Sequence, residues 1–232
     1  MGFVDTFKKI NNPDLAFIDH KIDEVARYCV LYLPLYKLPR DSFLSRDAYG
    51  HLCTVTGALW RLNGRSFDGT DDTILSATVP TTAINNWTIV AWLNPANLAQ
   101  ISMVVCNGLD DGVTGDGYAF GVGNGAGAAG NKLQGLLPGV SFLDSGYTFP
   151  AANRWYFVVM LRDAGVIKFF VDLIQTPNTF TNIPITPTEF RIGSQTGVRF
   201  FNGLVGEVCI YNRALTPLEI QHNYLATKWR YQ

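Results

Sequence analysis

Phe201-Asn-Gly-Leu-Val-Gly-Glu-Val-Cys-Ile-Tyr-Asn-Arg-Ala-Leu215, followed directly by Thr216-Pro-Leu-Glu-Ile220, decides the fold. Leu204 to Tyr211 alternates around a mostly apolar, β-branched run, which predicts a strand in the core of a sandwich. Asn212-Arg213 breaks it. Thr216 is a natural N-cap, Pro217 suits the first helical position, and Glu219 can close a capping box onto Thr216. A core strand therefore runs almost straight into a capped C-terminal helix.

That pairing of strand and helix resembles the end of the concanavalin A-like, laminin-G-like jelly-roll modules. Their last strand reads F-x-G-x-I-D-E-V-x-I-Y-N-R-A-L and is followed by x-x-E-I. The chain matches at Phe201, Gly203, Glu207, Val208, Ile210, Tyr211, Asn212, Arg213, Ala214, Leu215, Glu219 and Ile220, and departs at Gly206, where the family usually has Asp. Three further phrases follow the family's order. Gly64, Phe67, Asp68, Gly69, Asp71 and Asp72 resemble G-x-x-F-D-G-x-D-D-Y-I, with Thr73 where the aromatic is expected; Trp87 to Pro95 is similar to f-T-I-x-x-W-v-x-P; Phe190-Arg-Ile-Gly193 is similar to f-x-I-G. Asn153-Arg-Trp-Tyr156 resembles the family's n-x-W-y. The resemblance spans about residues 30–225 and implies an all-β, two-sheet antiparallel jelly-roll sandwich.

Composition agrees with one sandwich plus an appendage. The 232 residues are 47% hydrophobic and 13% aromatic, enough for a sizeable core, and 22 glycines with 11 prolines suit a turn-rich all-β chain. With a formal net charge of −1 and no basic stripe, nucleic acid is not an expected partner, nor is an anionic membrane surface. No run of about 18 apolar residues exists, so no membrane insertion is expected. Met1 is followed by Phe3, Asp5 and Lys8 rather than a charged-then-apolar leader, so no secretory signal is read. Release by lysis, or carriage on a particle, would need none. Cys29, Cys53, Cys106 and Cys209 lack C-x-x-C spacing and read as buried thiols.

Residues 1–29 differ from the rest. Asn12 and Pro13 suit a helix start, and Leu15, Ile18, Ile22 and Val25 recur at the spacing of a narrow apolar seam. The expectation is an amphipathic helical arm, docked on its own sandwich or serving self-association or a larger assembly. Residues 30–232 form the jelly roll. Val30 to Leu35 predicts the first strand, with Pro34 placing it at an edge or a strand end. Trp87 to Leu93 is apolar on both faces and predicts a central strand. Trp155–Arg162 and Val166–Val171 predict a hairpin across Asp163-Ala-Gly165, and Gly123–Gly130 a flexible loop. On the C-terminal helix, Leu218, Leu225 and Trp229 share one face. Ile220 and Tyr224 lie opposite, and by the resemblance that second set packs on the sandwich.

Glycosidase chemistry needs two carboxylates flanking a bond. The E-x-D-x-x-E phrase of the related glucanases is absent, as is a G-x-S-x-G elbow, and the three histidines are scattered, so no catalytic residues are assigned. The resemblance implies a structural calcium near Asp68, Asp71, Asp72 and Glu207, with Gly206 removing a carboxylate usual there. For a sugar, loop aromatics and oxygen-bearing side chains offer Tyr49, Trp60, Asn107, Asp110, Asp111, Asp116, Tyr118 and Tyr147. The functional expectation is a non-enzymatic, lectin-like module for glycan or cell-surface carbohydrate, carried on a larger assembly. The alternatives are a structural component of a viral or phage particle and, third, a glucanase-type hydrolase.

Overall fold

A computed structural model of the chain describes residues 27–80, 82, 84–108 and 115–232; the seam Leu15, Ile18, Ile22 and Val25 and the carboxylates Asp110 and Asp111 lie outside them. The first half of the described chain forms β1 (Cys29–Pro34), β2 (Ser42–Leu44), β3 (Leu52–Thr56), β4 (Leu59–Arg61), β5 (Gly64–Asp68), β6 (Thr73–Ser76), β7 (Trp87–Pro95) and β8 (Ser102–Asn107). The second half forms β9 (Tyr118–Gly123), β10 (Lys132–Leu137), β11 (Ser141–Thr148), β12 (Tyr156–Asp163), β13 (Val166–Val171), β14 (Ile174–Gln175), β15 (Phe190–Ile192) and β16 (Asn202–Tyr211), then helix α1 (Pro217–Thr227). Cys29, the last position of the expected arm, instead opens β1, pairing with Tyr211.

The strands make two antiparallel sheets. The first runs β14-β13-β12-β7-β16-β5-β4, with β1 also on β16; the second runs β11-β10-β9-β8-β15-β6-β3-β2. The described residues from β1 onward thus form an all-β sandwich with one short C-terminal α-helix. The core between the sheets takes Trp87, Ile89, Ala91 and Leu93 from β7, and Tyr118, Phe120 and Val122 from β9. Trp87 is fully buried and lies flat on Tyr118 of the opposite sheet, with ring centroids 3.9 Å apart and an interplanar angle of 5°. Burying each such side chain contributes about 2–3 kcal/mol.

β7 reads as apolar on both faces because both faces are covered. Its other face carries Val90 and Trp92, which pack with Phe157, Val159, Tyr211, Leu215, Ile220 and Tyr231 in a second cluster beneath α1. Ile220 is 1% exposed, whereas Leu218, Leu225 and Trp229 point outward, in agreement with the two-faced reading of the helix. Its capping box forms, with Glu219 N–H donating to Thr216 Oγ1 (3.3 Å) and Thr216 N–H to Glu219 Oε2 (2.8 Å). The glycine-rich 123–130 segment is a turn, with Asn124 Oδ1 accepting the N–H groups of Ala126 and Ala128.

β16 pairs with β7 along one edge. On its other edge Asn202–Val205 pair with β5, and Glu207–Tyr211 pair with β1. The change of partner coincides with a bulge: Val205 faces Leu93 but Val208 faces Ala91. Gly206 sits in that bulge and explains the departure from the family pattern. A Cβ there would lie 2.4 Å from the Tyr231 ring.

Gly206→Asp is expected to destabilise the fold by about 2–3 kcal/mol through overpacking, read as a lower urea midpoint. In a Tyr231→Ala background, the same Gly206→Asp change should cost much less than it does in the wild type. Glu219 takes two N–H donors from Arg213, at 2.9 and 2.8 Å, and these, with the Thr216 bonds, hold its carboxyl at about 2. A folded-state value below the unfolded one stabilises the protein above the unfolded pKa, near 4.3. That contribution is lost as pH falls through the folded value. Glu219→Gln should therefore cost about 1–2 kcal/mol at neutral pH, allowing for screening, and wild type and variant should converge in urea midpoint as pH approaches the folded value.

Candidate functional site

The outer face of the first sheet divides at Tyr231. On one side α1 covers the sheet. On the other, the ends of β7 and β16 together with β4 and β5 are bare and form an open cleft of about 590 Å³. The period-two alternation of β7 continues outward from Val90 and Trp92 to Asn94, and that of β16 presents Asn202 and Leu204. Asn63 and Arg61 come from the β4–β5 hairpin, Ser66 from β5, and Asn153 from the segment before β12. Asn153 has φ 56°, in the left-handed region that asparagine tolerates. Its N–H bonds Pro95 O at 2.7 Å. Among the described residues, the side-chain amides of Asn63, Asn94, Asn153 and Asn202 make no hydrogen bond to the protein. Leu62, at the hairpin tip, is 80% exposed. Among the described residues, no carboxylate lines the cleft.

Asp68, Asp71 and Asp72 stand beside it, since Asp68 pairs with Asn202. Their nearest carboxylate oxygens lie within 4.8 Å of one another. Asp68 Oδ1 accepts Thr70 N–H at 2.7 Å and Asp72 Oδ2 accepts Asp68 N–H at 2.8 Å, so the turn holds two of the three in place. Burial pushes the Asp72 carboxyl up; the Asp68 N–H opposes this, and the charges of Asp68 and Asp71 add to it. That spacing and the oxygen-only donor set fit one calcium ion, which takes oxygens at about 2.3–2.6 Å. Glu207 does not join them. It pairs with Pro34, five residues along β16 from Asn202, or about 17 Å of strand. Its side chain faces Tyr32 and Arg230 instead.

The other residues expected to bind ligand do not converge. Tyr118 is 1% exposed and accepts the Asn107 amide at 2.9 Å, while Asn107 is fully buried; both belong to the core network behind Trp87. Asp116 is buried and takes the N–H (3.1 Å) and hydroxyl of Thr188, locking a loop. Tyr147 packs edge-on against Phe149 and Tyr156, and burial pushes its phenol up to about 12. Tyr49 is exposed over His51, and Trp60 donates its Nε1–H to Tyr36 O at 2.9 Å. The four asparagines were not singled out from sequence. Asn94-Pro95 and Asn202-Gly203 end or begin strands, and the only available signal was that alternation carries each one outward.

A second recess lies under α1. It measures about 400 Å³ and its floor holds Glu207, Cys209 and Tyr211 of β16 beside Trp92. Burial, foremost, raises the Glu207 carboxyl; Tyr32, Arg230 and Lys37 pull it back. All four cysteines are free thiols. Cys53 and Cys106 are buried, whereas Cys29 and Cys209, half-buried, line this recess.

Residues 68–221 match the model of a laminin-G-like family described as the concanavalin A-like lectin/glucanases superfamily. The chain belongs to that superfamily. No curated protein matches it in sequence. Among solved structures, domain 4 of an extracellular arabinanase from Geobacillus stearothermophilus, in complex with arabinotriose, superposes with a TM-score of 0.64 at 18% identity, covering 84% of this chain and 97% of that one. The botulinum neurotoxin serotype D binding domain superposes at 0.63 and 11% identity over 88% of this chain and 53% of its own. Trypanosoma rangeli sialidase does so at 0.64 and 18% over 93% of this chain and 38% of its own. The chain thus spans almost all of the arabinanase domain, about half of the toxin domain and little over a third of the sialidase. At these identities the likeness is one of fold.

Proposed function

We propose that the protein is a non-enzymatic carbohydrate-recognition module and that the asparagine cleft is its binding surface. The observation that carries this reading is the convergence of four idle side-chain amides on the uncovered half of the sheet face. An amide offers a donor and an acceptor side by side, as vicinal sugar hydroxyls do. Arg61 and Ser66 add polar contacts, and the exposed Leu62 offers an apolar edge to a sugar C–H face. Among the described residues, the cleft lining consists of amides, Arg61, Ser66 and apolar groups rather than the carboxylate pair of a glycosidase. The arabinanase domain, which this chain covers nearly end to end, is known in complex with arabinotriose, and that supports a saccharide as the ligand class. We further propose that calcium binds Asp68, Asp71 and Asp72 and stiffens the turn beside Asn202.

On a glycan array the protein is expected to give saturable binding that falls at least tenfold in the Asn94→Ala/Asn202→Ala variant, with its melting temperature unchanged. An array without saturable signal, or a double variant that binds as the wild type does, rejects the cleft. For calcium, a hundredfold excess over Kd should raise stability by about 2.7 kcal/mol and the melting temperature by about 5–10 °C. Asp71→Asn should abolish that shift; an equal shift in the variant removes the ion from these residues.

A further inference from the structure

We propose that the recess beneath α1 is a separate binding site, built for one neutral hydroxylated ring, either a single sugar unit or a cyclic polyol. The argument starts from Glu207. It is 7% exposed, and its Oε2 has no hydrogen-bond partner. Arg230 Nη1 stands 3.7 Å from that oxygen, close enough for an ion pair but too far for a hydrogen bond. A buried carboxylate that receives no hydrogen bond is costly, and Glu207 lines the recess. Arg230 lines the recess beside Glu207, so a ligand hydroxyl entering it can donate to the carboxylate and accept from the guanidinium.

The surroundings exclude other ligand classes. The cation's place is already taken, because the Arg230 guanidinium lies 3.6 Å over the Tyr36 ring. An anion would meet Glu207 at the floor. An apolar ligand would leave the carboxylate without a hydrogen bond. At the rim Arg46 and Asp47 offset each other, as Arg230 and Glu207 do below, so the lining is close to neutral. Asp47 is engaged by the N–H groups of Tyr32, Tyr49 and Gly50 and asks nothing of a ligand. Tyr32, Tyr36 and Trp92 supply ring faces for sugar C–H groups, and the volume of about 400 Å³ suits one ring. Tyr231, seated on Gly206, separates this recess from the asparagine cleft.

The test is a titration of the ¹⁵N-labelled full chain with glucose, arabinose and myo-inositol at millimolar concentration, following the Trp92 indole N–H, whose Nε1 bonds Thr227 at 2.8 Å. A saturable shift is expected with at least one of the three. Glu207→Gln should weaken it at least tenfold. Ala226→Leu, which fills the recess from the helix side and leaves Glu207 intact, should abolish it. Asn94→Ala/Asn202→Ala should leave it unchanged, so that failure here and failure of the cleft are told apart. No saturable shift with any of the three, or Ala226→Leu binding as tightly as wild type, overturns the proposal. So does a shift lost in the asparagine variant and kept in Ala226→Leu.

Discussion

The backbone pairing of β16 is the constraint on which the rest of the molecule depends. A strand has two edges to satisfy, and β16 satisfies one against β7 along most of its length and divides the other between β5 and β1. The division needs an irregularity, because two different strands must meet one edge end to end. The bulge at Gly206 provides it. Gly64 approaches there as well, so closely that a Cβ on it would lie 2.1 Å from Val205 O. Two glycines thus let three segments of chain meet at one point, and the space they leave receives the Tyr231 ring.

That meeting point organises the sheet's outer face. Tyr231 lies against Trp92 and Trp155, both at 4.6 Å between centroids, and closes the aromatic cluster under α1. The strand behind α1 is held by Thr88, whose hydroxyl donates to Arg213 O and accepts Leu215 N–H, so the chain leaves β16 along a defined path into the capped helix. Coverage stops at Tyr231. Beyond it the same alternation that buried Val90 and Trp92 presents Asn94, and hence the cleft.

The buried polar groups carry a related lesson. Asn107, Tyr118 and Thr82 form a hydrogen-bonded chain behind the Trp87–Tyr118 stack, and burial raises the Tyr118 phenol against the pull of both partners. Arg65, also buried, donates to Ala58 O and Leu38 O at 2.8 and 2.6 Å, and to Arg40 O, tying the β3–β4 turn to the loop after β1. These groups are structural, although Arg65 Nε and Asn107 Oδ1 have no hydrogen-bond partner. Glu207 differs because it lines a recess.

Much of the architecture was legible in the chain itself. Period-two alternation, the aromatic strand at Trp87, the hairpin at Asp163-Ala-Gly165 and the Thr216–Glu219 cap are local signals, set by the backbone and nearest neighbours, and they carry the element order and the sandwich. The site was less legible. Tyr118 and Asn107 look like loop-edge polar residues in sequence, yet the stacking of one sheet on the other puts them in the core. Glu207 and the Asp68–Asp72 turn belong to adjacent strands, yet strand register sets them about 17 Å apart. Four asparagines separated by as many as 139 positions in sequence converge because sheet pairing and the reach of one helix leave that patch bare. Such convergence depends on long-range packing, which no local pattern encodes.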